Sequence, residues 1–168
     1  MSVLRKLRDW SIPIDWATAR VARDPAWGHR RAEVSEISEL AAERLDGASP
    51  EQLPWVAELC AASSEAAIDD ALAGLAPDAS SSSSAYWKVV CALLDETLQA
   101  LPRDPISGPA ELSSFWLTVG SPAGHPHVFQ GVGNEITPGD YYTPENLTRM
   151  VESQREWLAR RVDQLRSE

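Results

Sequence analysis

Cysteine is scarce in this chain. Only Cys60 and Cys91 occur, far apart and each inside an apolar helical pattern, which excludes a disulfide framework and any metal spacing of the CxxC kind. Two buried reduced thiols are expected instead. Long apolar runs are also missing, so no stretch reaches the length of a bilayer span. The basic residues near the start have no apolar stretch behind them, so no secretory signal is expected. Together these absences predict a cytoplasmic protein, in which the sequon at Asn146, Leu147 and Thr148 has no role.

Catalytic signatures are absent too. There is no GxSxG, no HExxH and no P-loop, and Gly131 and Gly133 form a fragment that lacks the following helix and lysine of a phosphate cradle. No catalytic residue and no cofactor is therefore expected. Positive charge is concentrated rather than plentiful. Over 1–31 seven basic residues face three acidic ones, whereas over 32–80 eleven acidic residues face one basic residue. The acidic middle repels phosphate backbones, and the N-terminal arginines make too broken a stripe to bind nucleic acid. A basic protein partner suits such a surface, because complementary charge steers encounter.

With 168 residues, 43% of them hydrophobic, the chain can bury a sizeable core and is read as one domain over 1–168. Short helical patterns over 3–24 break at Pro13, placed in the first turn of the second helix. From Arg30 to Asp46, apolar Val34, Ile37, Leu40, Ala41 and Leu45 oppose an acidic stripe, and Gly47 is the stop. Ser49, Pro50 and Gln52 read as a capping box. Two short helices follow, and then a serine-rich loop over 78–84. The most apolar helix spans 85–101, after which Pro102, Pro105 and Pro109 predict an extended connection. A last helix over 144–165, carrying Leu147, Met150, Gln154, Trp157 and Leu158 on one stripe, starts at the Thr143 and Pro144 cap.

The stretch 115–146 differs from all of this. It holds both phenylalanines, two of the three tyrosines, two of the three histidines and five of the nine glycines, with no lysine or arginine. Its short aromatic and β-branched runs predict a small β-hairpin over 115–133. The fold class is then mainly α, a bundle of about five to seven helices with one β-hairpin before the long C-terminal helix. The subdivisions are an N-terminal arm (1–30), a helical core (31–101), the hairpin (115–133) and the C-terminal helix (144–166).

On an extended backbone His125 and His127 face the same way and can chelate. Glu135 or Asp140 would complete a two-histidine, one-carboxylate set for a divalent metal such as zinc. The adjacent Tyr141 and Tyr142 offer another use, as amphipathic anchors of a protein interface. The sequence thus leads to a non-catalytic cytoplasmic interaction module, an acidic inhibitor or immunity-type protein, using His125, His127, Asp140, Tyr141 and Tyr142. The alternative is a small metal-dependent enzyme or ligand binder using His125, His127, Glu135 and Asp140. A third reading is a regulator that dimerises through the C-terminal helix.

Overall fold

A computed structural model describes residues 2–79 and 83–168. The helices among them are α1 (Val3–Asp9), α2 (Trp16–Ala22), α3 (Val34–Arg44), α4 (Leu53–Ala61), α5 (Glu65–Leu75), α6 (Ser83–Ala100), α7 (Ser107–Thr118), α8 (Pro138–Tyr141) and α9 (Pro144–Arg166), with short 3-10 turns after α2 and α3. The chain divides into two compact units, one formed by Met1–Ala92 with Leu165–Glu168 and the other by Leu93–Gln164.

In the first unit α2 packs on α5, α3 on α4 and α4 on α5, burying Leu40, Val56, Leu59, Ile68 and Leu72. The ends of these helices follow from local chemistry. Asp15 caps α2 by accepting the Thr18 N–H at 2.6 Å, so Pro13 lies before the cap and not in the first turn. Glu33 and Glu36 form a reciprocal capping box at the start of α3. Ser49 and Gln52 do exchange the two expected bonds, but they close a turn, and α4 begins only at Leu53. Of the serine-rich loop, 80–82 lie outside the described residues, and Ser84 stands inside the first turn of α6.

The second unit corrects the sequence reading. Among the described residues there is no β-strand, and the hairpin over 115–133 is not formed. Asp104 accepts the N–H groups of Ile106 and Ser107, and this starts a three-turn helix, α7, where an extended connection was expected. Pro109 sits in its first turn, where a missing N–H is no loss. Leu112, Phe115, Trp116 and Val119 recur at steps of three and four, and all are buried. The first half of the supposed hairpin is the end of this helix, so the second half has no strand to pair with. Residues 127–133 run without regular structure, with Gly131 and Gly133 at positive φ (71° and 68°), a conformation glycine tolerates.

The C-terminal helix α9 follows its predicted span closely. Thr143 Oγ1 accepts the Asn146 N–H at 3.1 Å as the cap, and Pro144 is its first residue. Leu147, Met150 and Leu158 are buried, as is the one polar residue on that stripe, Gln154. Among the described residues no helix is long and apolar enough to cross a membrane.

Candidate functional site

The residues that drew attention in the sequence lie in the second unit, around a buried polar cluster between α7 and the segment 119–143. Its centre is His127, which is 5% exposed. His127 Nε2 lies 2.9 Å from Ser113 Oγ on α7, and Ser113 Oγ donates back along its own helix to the Pro109 carbonyl at 2.9 Å. A hydroxyl has one proton, so the imidazole must donate here, which assigns His127 the Nε2–H tautomer. Its Nδ1 then presents a lone pair with no partner among the described residues. The opposite assignment would bury an unmet N–H, the costlier defect.

Tyr141, 2% exposed, closes the cluster from α8. Its hydroxyl donates to the Val128 carbonyl at 2.9 Å and stands 3.5 Å from Ser113 Oγ. His125 is half-buried and stacks on Trp116, with centroids 5.1 Å apart. Its Nδ1 accepts the backbone N–H of His127 at 3.2 Å. Trp116 in turn donates from Nε1 to Gln154 Oε1 on α9 at 3.0 Å. Trp157 donates to the Gly124 carbonyl, also at 3.0 Å. A segment without regular structure is thus held by side chains instead of by a backbone ladder.

Burial governs the titration of this cluster. Removal from water, with His125 nearby, pushes His127 down to about 4, and burial lowers His125 as well. Burial also raises the Tyr141 phenol. These groups are neutral near pH 7. A neutral His127 that already holds its proton on Nε2 is not placed to take one from Ser113, so the pair is a poor nucleophile and base.

The structure brings together only part of the predicted site. His125, His127 and Tyr141 converge. Asp140 is exposed and binds Thr137, whose hydroxyl donates to Oδ2 at 2.6 Å while the Asp140 N–H returns to Thr137 Oγ1. Glu135 is exposed. Among the described residues no group of three or more His, Cys, Asp or Glu gathers in a way that could hold a metal ion. Tyr142 is 37% exposed, with its ring edge-on to Tyr141 at 5.0 Å.

Beside the cluster, on the α9 side of Tyr141, lies a cavity of about 370 Å³. Pro126, Val128, Ile136 and Met150 give it apolar walls, and Arg149, Ser153 and Gln154 supply polar groups. Ser113, Arg149 and Gln154 escaped the sequence reading as site residues. The available signal was a glutamine on an otherwise apolar stripe, since a buried amide demands partners. The chain matches no family model, no curated protein and no solved structure.

Proposed function

We propose that the chain is a non-catalytic recognition protein of the cytoplasm, which binds a basic protein partner through the segment 119–143 as an inhibitor or immunity-type protein does. The observation that carries this is the exposure of Val128 (49%), Val132 (69%), Ile136 (36%) and Tyr142 (37%) along that one segment. Its backbone is pinned from beneath by His127, Tyr141 and Asn134, the last donating to the Phe129 and Val132 carbonyls. Apolar side chains on a preorganised loop bind at low entropic cost. Exposed Glu135 and Asp140 stand among them, with no lysine or arginine in the segment, and this favours a partner of positive charge.

The experiment is capture from the native host with a photo-crosslinking residue at position 132, beside the variant carrying Val132→Asp and Tyr142→Asp. The expected result is one basic protein, crosslinked by the parent and lost from the variant, whose activity the parent suppresses. A variant that captures the same protein as well as the parent does, or a parent that captures no basic protein, overturns the reading.

A further inference from the structure

The cavity beside Tyr141 has a chemistry that the recognition surface does not use. Gln154 is 1% exposed, and its Oε1 is committed to the Trp116 N–H. That bond also settles which end of the amide is which, because indole only donates. The Nε2 group of Gln154, a residue that lines the cavity, is left as a donor with no acceptor among the described residues. An amide donor that borders the cavity and has no protein acceptor is free to bond a ligand there.

A second group points the same way. Arg149 gives one Nη2 proton to Asn146 Oδ1 at 2.8 Å, while the rest of its guanidinium finds no acceptor and no acidic partner among the described residues. Asn146, Arg149, Met150, Ser153 and Gln154 follow one another at steps of three, one, three and one, so one face of α9 lines this wall. No Asp or Glu stands among the described residues lining the cavity. One cation and two kinds of neutral donor thus border a space whose other walls are aliphatic and aromatic.

We infer that this cavity binds a small molecule with an apolar body and a single carboxylate. The carboxylate accepts from Arg149 and from the Gln154 amide, and the body lies against Val128, Ile136, Met150 and the Tyr141 ring. A guanidinium matches a carboxylate in shape and charge. A phosphate dianion would leave charge uncompensated against apolar walls, a costly arrangement. The volume falls in the range of ordinary small-molecule sites.

The test uses phenylpropionate and octanoate, each beside its amide, titrated into the full chain with the Met150 methyl signal followed by NMR. Both acids are expected to shift that signal saturably, and the amides to bind about tenfold more weakly or worse. Arg149→Gln, at an exposed position, should weaken the acids by about the same factor. Gln154→Glu keeps an acceptor for Trp116 and replaces the donor by a negative charge, so it should abolish binding while the indole signal of Trp116 stays in place. Acids that leave Met150 unshifted at millimolar concentration overturn the assignment. So do amides that bind as well as the acids, or an Arg149→Gln variant that binds as tightly as the parent. None of these substitutions touches Val132 or Tyr142, so loss of ligand binding is separable from loss of a protein partner.

Discussion

Ser113 Oγ and His127 Nε2 lie 2.9 Å apart across α7 and the segment that follows it. The spacing is that of a nucleophile and its base, yet the proton runs from histidine to serine and on from serine to the Pro109 carbonyl. The pair joins an irregular segment to a helix, and its reactivity and its response to pH are both open to measurement.

The first concerns reactivity. A fluorophosphonate probe is expected to leave Ser113 unlabelled, because no group nearby removes its proton. Ser113→Ala leaves the buried His127 Nε2–H without its acceptor and should cost about 1 to 3 kcal/mol of unfolding free energy. Stoichiometric labelling at Ser113, read by mass spectrometry, would sink the structural account of the pair.

The second concerns pH. The unfolded chain protonates His127 near its ordinary 6.5, while the folded protein holds it down at about 4. As pH falls through this window the unfolded state binds a proton that the folded state does not. The contribution of His127 is therefore full above 6.5, declines below it and levels off near 4, with a loss of up to about 3 kcal/mol. The depressed His125 adds in the same sense. Urea denaturation at about pH 7 and about pH 4.5 should show the loss, and His127→Gln should reduce it. An equal loss in that variant would show that other groups are responsible.

Gly108 offers a contest between local preference and packing. Alanine is the better helix former by about 1 kcal/mol. A Cβ here, however, would lie 2.7 Å from Leu147 Cδ1 and 2.8 Å from the Pro102 carbonyl oxygen, and the backbone atom cannot yield cheaply. Gly108→Ala is expected to destabilise by about 1 to 3 kcal/mol. Gly47, where a Cβ would meet nothing within 4 Å, is the control, and Gly47→Ala should be close to neutral. Thermal melts of the two variants decide it, and a Gly108 variant as stable as the parent refutes the contact.

In the first unit Arg23 is 3% exposed and donates from Nε to Asp69 Oδ1 at 2.9 Å and from Nη1 to the Ala32 carbonyl. Its Nη2 has no partner among the described residues. Asp69→Asn leaves a buried guanidinium without its counter-charge. Because Asp69 itself is 45% exposed, the expected cost is about 2 kcal/mol rather than that of a fully buried pair. Arg23→Met made in the Asp69→Asn background should restore part of that loss, as chemical denaturation would show. If it restores nothing, the buried charge is not the cause.

Much of the helical framework is written in short stretches. Thr143, Pro144 and Glu145 start α9, and the apolar recurrence from Leu147 carries it to its end, because caps and periodicity act within a few residues. The same holds for α3, where Val34, Ile37, Leu40 and Ala41 alternate with acids. Residues 115–119 could not be read this way. Five aromatic and branched residues suit a strand or a helix end equally, and the decision lay with Asp104, Pro109 and the partners that Leu112, Phe115 and Trp116 meet.

What the sequence by itself determined is the helical class, the span of α9 and the absence of known catalytic motifs. Only the tertiary structure decided that 115–118 is helix and not strand, that His127 turns inward to Ser113, and that Glu135 and Asp140 stay in water. It also decided that Gln154 meets Trp116 across 38 residues of chain. Periodicity and capping are properties of neighbours along the chain. The partner of a buried polar group is a property of packing, which brings together atoms that no local pattern relates.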